Sequence, residues 1–441
     1  MLAAMPPPAT SPSLPADTSA RGRGDACPGT LRLHRADDGA LARVRVPGGL
    51  LTAVQADALG AAAESLGDGE LHLTSRGNVQ LRGLSADCGG ELAGRLGDAG
   101  LLPSARHERI RNIVASPLSG LDGRGARDVG PWLSELDALL CASDGAADLS
   151  GRFLFVLDDG RGDVDALGGD VTLLARDGGA ALLRIGTDRT VVRIPGAQAP
   201  RAALMAAEVF LERAAGTGAW RVRDLPGGAG PLLDEVVRRL REEGSGAATE
   251  DRDCPPGSDG PAPGVVTGPH DEAALSVGIP LGRFTPAQWR TLTETARHGG
   301  RGELRLTPWR GVVVPGVERR AAAGLLDILG ATGLVTGPDS PWTGVGACIG
   351  RPGCAKSLAD VRGRAAAAVG PVGLLPVYWS GCERRCGHPR GEWVDVVATP
   401  DGHRISLVRG EERGAPVSVP DSPDRPGRLA AAVAAARGTR G

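Results

Sequence analysis

Apolar and polar residues follow the same order in two distant stretches of the chain, from Val44 to Thr74 and from Val277 to Thr307. The second stretch is displaced by 233 residues and aligns with the first without a gap. Both begin with V-x-x-P-x-G and end with G-E-L-x-L-T. Chance does not produce such an alignment, and two copies so far apart cannot stack into a solenoid. The pattern therefore predicts a duplicated fold.

Each copy is patterned as a strand, a turn, a helix and a second strand that ends in a polar loop. Thr52 and Thr285 stand directly before the helical pattern, where a threonine side chain commonly caps a helix N-terminus. The stretch between the copies, residues 106–241, alternates strand-like runs such as F-L-F-V-L and T-V-V-R-I with a helix near Pro200–Ala215. The sequence thus predicts strands and helices in alternation along most of the chain.

The C-terminal part repeats this alternation. The pattern predicts a helix near Leu358–Val369, strands at Val372–Trp379, Trp393–Ala398 and Ile405–Val408, and a terminal helix at Arg428–Arg437. Composition and pattern together divide the chain into a disordered tail (1–28), a first half-domain (29–105), a first α/β domain (106–242), a linker rich in Gly, Pro and Asp (243–266), a second half-domain (267–340) and a cysteine-containing domain with a C-terminal helix (341–441).

Composition limits the possible partners and location. The 441 residues are 41% hydrophobic, which predicts globular folding in two or three domains. The net charge of −2 argues against nucleic acid or an anionic membrane as the main partner. No apolar run is long enough to span a membrane, and the chain begins without a secretory signal pattern. We therefore expect a cytoplasmic protein.

Four of the eight cysteines lie in two short clusters, G-A-C-I-G-R-P-G-C and S-G-C-E-R-R-C-G-H-P. They are Cys348, Cys354, Cys382 and Cys386. Four thiolates flanked by glycines that allow close backbone approach are typical of a [4Fe–4S] cluster. Structural zinc is an alternative, although its cysteines are usually closer in sequence than the first pair is. Disulfides are a further alternative that the expected compartment disfavours.

Arginines recur in the loops that follow the second strand of each repeat. The first copy ends L-T-S-R-G-N-V-Q-L-R, with Arg76 and Arg82, and the second ends L-T-P-W-R-G, with Arg310. A third basic segment, R-H-E-R-I-R-N-I-V, contains Arg111 and Asn112. Any one of them could be a solvated surface arginine. Their equivalent places in a duplicated fold favour a shared binding site.

These motifs, in this order over roughly residues 40–410, resemble the siroheme-dependent nitrite and sulfite reductase superfamily. The resemblance implies an α+β fold with a duplicated architecture: two ferredoxin-like half-domains and two larger α/β domains of the nitrite/sulfite reductase type. It also implies a [4Fe–4S] cluster beside a reduced tetrapyrrole, with the residue matching Cys386 able to bridge the cluster and a haem iron.

Within the superfamily, the motifs A-C-I-G-R-P-G-C-A, S-G-C-E-R-R-C-G-H-P and T-P-W-R-G most resemble the precorrin-3B synthase family. This resemblance implies O₂-dependent hydroxylation and lactonisation of precorrin-3A in aerobic cobalamin biosynthesis, with electrons from NADH through a partner reductase. It also implies a second iron, non-haem or in siroheme, for which His388 is a candidate ligand. The enzymatic alternative is an assimilatory nitrite or sulfite reductase with siroheme. The non-enzymatic alternative is an electron-transfer or zinc-stabilised binding protein.

The lysine content favours the first of these functions. Reductases of the superfamily hold their anion with two arginines, which match Arg76 and Arg111, and with two lysines, whose positions align with Arg152 and Leu154. The chain has one lysine, Lys356, and it lies among the cysteines. Arginine is a poor proton donor, so a six-electron reduction lacks its proton relay here.

The resulting candidate residues fall into two groups. Arg76, Arg111 and Arg152 are predicted as catalytic. The residues predicted to bind substrate are Asn78, Arg82, Asn112, Arg305 and Arg310, because a precorrin carries about eight carboxylates that arginine forks bind well.

Overall fold

The computed structural model of the protein describes residues 27–254, 258, 260–389, 391–420 and 427–438. In these residues the chain forms four β-sheets, two of five strands and two of six, with α-helices packed on them. The chain is therefore α+β, as the sequence predicts. Most of the tail predicted to be disordered, residues 1–28, lies outside the described residues.

The first five-stranded sheet contains a strand from the second repeat. Its strands, all antiparallel, are in spatial order β1 (His34–Ala36), β2 (Gly39–Val44), β5 (Val79–Leu84), β4 (Leu71–Leu73) and β14 (Arg283–Phe284). Helices α1 (Ala53–Leu66) and α2 (Gly89–Asp98) belong to this half.

The second five-stranded sheet contains a strand from the first repeat. Its strands are β12 (Gly264–Thr267), β13 (Glu272–Gly278), β16 (Gly311–Glu318), β15 (Glu303–Leu306) and β3 (Leu50–Thr52). Helices α6 (Pro286–Gly299) and α7 (Ala322–Ala331) belong to this half.

The two repeats thus exchange their edge strands. Leu51 on β3 pairs with Leu304 on β15, and Phe284 on β14 pairs with Leu71 on β4. The indole of Trp289 donates a hydrogen bond of 2.7 Å to the carbonyl of Ala56, which joins α6 to α1. Apolar side chains of both repeats form one continuous core. The two halves are therefore a single structural unit.

Both predicted helix caps are confirmed. The Thr52 hydroxyl accepts a hydrogen bond of 3.2 Å from the backbone N–H of Gln55, and the Gln55 side chain accepts one of 3.0 Å from the Thr52 N–H. Thr285 and Gln288 make the same reciprocal pair. Each helix therefore begins at a capping box, which satisfies two backbone N–H groups.

The first six-stranded sheet lies between the repeats in sequence. Its strands, in spatial order, are β11 (Ala248–Asp251), β10 (Thr190–Pro195), β9 (Ala180–Ile185), β8 (Val171–Ala175), β7 (Phe155–Asp158) and β6 (Ile113–Ala115), and its helices are α3 (Gly130–Ala142), α4 (Ala199–Ala214) and α5 (Gly230–Glu242). Helix α4 confirms the predicted helix. The predicted linker, however, contains β11, which pairs along the whole of its length with β10. The sequence did not indicate this strand, because all four residues of β11 are exposed at the sheet edge and therefore show no apolar pattern.

The second six-stranded sheet carries the four clustered cysteines in its loops. Its strands are β17 (Val345–Ala347), β18 (Val377–Ser380), β19 (Glu392–Thr399), β20 (Gly402–Arg409), β21 (Glu412–Arg413) and β22 (Val417–Pro420), and its helices are α8 (Val361–Ala367) and α9 (Arg428–Arg437). Helix α8 is shorter than predicted because the Asp360 carboxylate accepts the Gly363 N–H at 3.0 Å and so sets the N-terminus. In both six-stranded sheets the first three strands in chain order are parallel, β6 to β8 in one sheet and β17 to β19 in the other, and the next strand is antiparallel.

Among the described residues, no helix combines the length and the apolar composition that a membrane crossing requires.

Candidate functional site

The four clustered cysteines lie in the loops that follow β17 and β18. Cys348 comes directly after β17 and Cys382 two residues after β18. Because these strands are parallel, their carboxyl ends meet at one edge of the sheet, where ligands of such sheets commonly bind. Burial raises the pKa of the Cys348 thiol, and the charges of Cys382 and Cys386 raise it further. All four are free thiols.

Hydrogen bonds and a close-packed glycine shape the backbone around these thiols. The N–H of Gly381 donates a hydrogen bond of 3.2 Å to Cys348 Sγ. A Cβ at Gly381 would overlap the Ser357 hydroxyl, so only glycine fits there. The Ser357 N–H in turn donates to the carbonyl of Cys354 at 2.9 Å, which folds the first cysteine loop. The residues present fit a [4Fe–4S] cluster.

A zinc site would need the thiols to lie closer together than any group that the structure shows for cysteines. Thiolates around a tetrahedral zinc ion lie about 3.8 Å apart, because each Zn–S bond is about 2.3 Å. Within the described residues, the groups of three or more metal-ligand atoms within 4.8 Å of one another contain only Asp, Glu and His, and no cysteine. Zinc therefore stays the alternative to a cluster at these four cysteines.

Arg82 supports the first cysteine loop. Its guanidinium forms a bidentate pair with Asp38, with both N···O distances 2.8 Å. It also donates to the carbonyl of Gly353, next to Cys354, at 2.8 Å. The arginine therefore connects the first ferredoxin-like sheet to the cysteine loop. Its charge is balanced by Asp38, and its predicted role in substrate binding stays a prediction.

Arg310 lies beside the second cysteine loop. Its guanidinium stands 5.8 Å from the centre of the Tyr378 ring, and the Tyr378 hydroxyl donates a hydrogen bond of 2.6 Å to the carbonyl of Cys386. Arg310 has a φ of 59°, a left-handed conformation that is uncommon outside glycine. The T-P-W-R-G loop therefore holds this arginine against the cluster-binding loop through a strained backbone.

A cavity of about 570 Å³ brings together four of the predicted residues: Arg76, Asn78, Asn112 and Arg152. Arg76 donates to the Arg152 carbonyl at 3.1 Å. Burial and the charges of Arg221 and Arg45 lower the pKa of Arg76 to about 10. The Arg152 guanidinium stacks 4.1 Å above the Trp220 ring. Arg43 and Arg45 also line the cavity, which makes its wall strongly cationic.

The two asparagines hold the wall of this cavity in place. Asn78 donates to the Asn112 side-chain oxygen at 3.0 Å and accepts the Val46 N–H at 3.0 Å. Asn112 donates to the Phe153 carbonyl at 2.9 Å. Both side chains are almost fully buried. They connect the arginine loop of the first repeat to β6 and β7, and their predicted contact with substrate stays a prediction.

Arg111 and Arg305 are paired elsewhere. The Arg111 guanidinium forms a bidentate pair with Asp137 at 2.7 and 2.6 Å and donates to the Leu101 carbonyl at 3.1 Å. Arg305 pairs with Glu303 at 2.6 Å and donates to two backbone carbonyls of the loop after β6. The structure does not bring either guanidinium to the cavity that Arg76 lines, and their predicted roles also stay predictions.

Leu154 stands at one of the two positions where reductases of the superfamily have a lysine. It is 2% exposed and packs with Val114, Val156 and Val164 in a small apolar core. Lys356, the one lysine of the chain, is exposed beside Cys354. All strong cations of the cavity wall are consequently arginines.

The chain is similar to known proteins in sequence and in fold. Residues 33–97 and 268–332 match the family described as the nitrite/sulfite reductase ferredoxin-like half domain. A relative named precorrin-3B synthase, from Sinorhizobium sp, is 30% identical over 426 residues, which cover 93% of this chain and 89% of the relative. The chain belongs to the precorrin-3B synthase family. Membership in this family of oxidoreductases confirms the predicted duplicated α+β architecture with two ferredoxin-like half-domains.

More distant relatives define the superfamily. The ferredoxin–nitrite reductase of Synechococcus elongatus is 27% identical over 84% of this chain and 78% of the relative. The structure of the Mycobacterium tuberculosis NirA protein superposes with a TM-score of 0.65 at 20% identity, covering 88% of this chain and 79% of that chain. The second similarity shows the fold.

Two residues of this precorrin-3B synthase family member adjoin the cluster loop without having been predicted from the sequence. Arg362, on α8, donates from Nε to the Cys348 carbonyl at 3.3 Å and from Nη1 to His72 Nδ1 at 2.9 Å. Burial and the charges of Arg283, Arg310 and Arg82 lower the pKa of Arg362 to about 10. His72 lies between two core leucines on β4. Side chains alternate between the two faces of a strand, so the His72 ring points away from the core that the leucines enter. This alternation was the one feature of the sequence that could have indicated the position of His72.

The described residues offer no ready protein site for a second iron. His72, Glu70 and Asp68 are closely spaced, but Arg362 can only donate, so the His72 Nδ1 accepts and the ring proton sits on the nitrogen that faces Glu70. In a histidine that binds a metal, the ring nitrogen that does not bind the metal instead donates its N–H to an acceptor. Burial and the charge of Arg362 lower the pKa of His72 to about 2, so the ring is neutral.

The other close group and the candidate ligand His388 fit no better. In the group of Asp158, Asp159 and Asp163, the first carboxylate accepts backbone N–H groups and the second pairs with Arg161 at 2.8 Å. His388 stacks on Trp393 with ring centres 5.3 Å apart. Its predicted role as an iron ligand stays a prediction.

Proposed function

We propose that the protein is a precorrin-3B synthase, which hydroxylates precorrin-3A with O₂ and closes a lactone in aerobic cobalamin biosynthesis. The relative from Sinorhizobium sp carries this name, and it matches nearly the whole chain. The [4Fe–4S] cluster would be held by Cys348, Cys354, Cys382 and Cys386, and it would supply electrons singly to the reaction. The donor would be an NADH-dependent reductase, in the cytoplasm.

The observation that carries the proposal is the chemistry of the cavity wall. Its guanidinium groups belong to Arg43, Arg45, Arg76 and Arg152, and the position of a second reductase lysine is filled by the buried Leu154. Arginine keeps its proton at any physiological pH, whereas a six-electron reduction needs a protonated group that can release one repeatedly. An oxygenase requires fewer protons and benefits from cations that hold carboxylates.

Within this proposal, Arg76 and Arg152 act in the cavity. The Arg76 side chain donates a hydrogen bond to the Arg152 carbonyl, which holds the two residues together. Their guanidinium groups would bind an anionic substrate. Asn78 and Asn112 would fix the loop that carries Arg76, and the Arg82 pair would fix the cysteine loop. The second metal of this reaction would be non-haem iron or the iron of siroheme.

Isotope labelling tests the function directly. Protein purified without oxygen is given precorrin-3A, a reducing system and ¹⁸O₂, and the product is analysed by mass spectrometry. Incorporation of one ¹⁸O atom into a lactone-containing tetrapyrrole is expected. Turnover of nitrite or sulfite, together with siroheme extracted at one per chain, would instead identify a reductase. Iron and sulfide analysis of the same preparation tests the cluster, because a zinc-stabilised binding protein would contain neither.

A further inference from the structure

Arg362 differs from the neighbouring arginines in its partners. Arg82 is paired with Asp38, and Arg283 with Glu70 at 3.2 Å. The groups that accept from Arg362 are both neutral: the Cys348 carbonyl and the His72 ring. Among the described residues, no carboxylate forms an ion pair with Arg362. Hydrogen bonds to neutral groups therefore orient its positive charge, and Glu70 and Cys348 attract this charge without forming an ion pair with it.

The neutral acceptors also fix where the remaining donors point. With Nε directed to Cys348 and Nη1 to His72, rotation of the planar guanidinium is restricted, and Nη2 keeps its N–H groups for another partner. His72 is 4% exposed, so its ring is held firmly by packing. A cation oriented in advance in this way loses little entropy when it binds an anion.

We propose that Arg362 binds a carboxylate of the tetrapyrrole beside the cysteine loops. The inference rests on the proposed function, because the precorrin of that function carries about eight carboxylates. It assigns this role to a residue outside the arginine loops of the repeats. Arg82 and Arg305, which the sequence favours, already have internal carboxylate partners, whereas Arg362 and the adjacent Arg310 form no ion pair with a described carboxylate.

Porphyrin binding by matched variants tests the proposal. The dissociation constant for uroporphyrin, an octacarboxylic porphyrin, is measured by fluorescence quenching for the wild-type protein, Arg362→Gln and Arg364→Gln. Arg364 lies on the same helix and is exposed, so its variant controls for loss of one positive charge near the loops. We expect Arg362→Gln to weaken binding roughly ten- to a hundredfold and Arg364→Gln to leave it unchanged.

Two controls keep the result decisive. Each variant is compared at equal iron and sulfide content and with an unchanged circular dichroism spectrum. If Arg362→Gln binds uroporphyrin as the wild type does, the proposal is overturned. A shift in the reduction potential of the cluster in that variant would then assign the charge to the cluster instead of a carboxylate.

A measurement without variants covers the case in which Arg362→Gln does not fold. Wild-type protein is treated with phenylglyoxal, which modifies arginine, with and without uroporphyrin, and peptides are quantified by mass spectrometry. Protection of Arg362, with Arg364 still reactive, supports the proposal, and equal modification of Arg362 in both samples refutes it. Binding and protection without ¹⁸O incorporation would reject the proposed reaction while leaving the carboxylate site in place.

Discussion

Removing the carboxylate of Asp137 tests whether Arg111 is held for structure or for catalysis. The Arg111 side chain is 7% exposed and the Asp137 side chain 23%, so Asp137→Ala leaves a nearly buried guanidinium without its counter-charge. Breaking a buried pair in this way costs about 3–5 kcal/mol. Because water can enter where Asp137 stood and the Leu101 carbonyl still accepts, we expect the lower end, about 3 kcal/mol.

The assay is denaturant unfolding followed by circular dichroism, with a double-mutant cycle. Arg111→Met should cost less than Asp137→Ala, because the carboxylate left behind is partly hydrated, and the double variant should be less destabilised than the sum of the two. Asp144→Ala is the control, since it breaks an exposed pair with Arg106 and should cost less than about 1 kcal/mol.

Two outcomes would refute a structural role for the pair of Arg111 and Asp137. An Asp137→Ala variant as stable as the control would mean that Asp137 does not hold Arg111. An Arg111→Met variant that keeps full stability but loses turnover would show a direct catalytic role. The structural interpretation of Arg111 would be refuted in either case.

Three further outcomes follow from the packing and charges. Thr52→Ala should lower the stability by about 1 kcal/mol in the same unfolding assay, while Thr52→Ser, which keeps the hydroxyl, should not. Gly381→Ala should reduce the iron and sulfide content of the purified protein, because the new Cβ displaces Ser357 and the first cysteine loop. Burial raises the pKa of Asp163 from 3.8 to about 7 in the folded protein, so between these values the folded state holds a proton that the unfolded state has lost. Stability should therefore fall as the pH rises through this window, and Asp163→Asn should flatten that part of the profile.

Local patterns allowed much of the fold to be predicted. Thr52 and Thr285 cap their helices through residues three positions away, so the signal is contained in a few consecutive residues. Each pair of clustered cysteines is likewise close in sequence, so the loop that contains it could be located from a few consecutive residues. The edge strand β11 was missed because exposed strands carry no apolar alternation.

The partners of the arginines could not be predicted in the same way. Arg111 meets Asp137 and Arg82 meets Asp38 through the tertiary fold, and nothing in the sequence near either arginine indicates that its charge is already balanced. Arg362 and His72 are 290 residues apart. A sequence shows which residues carry charge, while only the fold shows which charges remain available to a ligand.

The exchange of edge strands has a consequence for how the chain is made. Until residues 283 and 284 leave the ribosome, β4 has no partner on one side, and β3 has no partner until residues 303–305 follow. Such an unpaired edge invites pairing with other chains. The first repeat must therefore wait for about 200 further residues before it can close, which predicts slow folding and a dependence on chaperones during synthesis. Expression of either half alone should give an aggregation-prone fragment, whereas co-expression of the two halves should restore the common core.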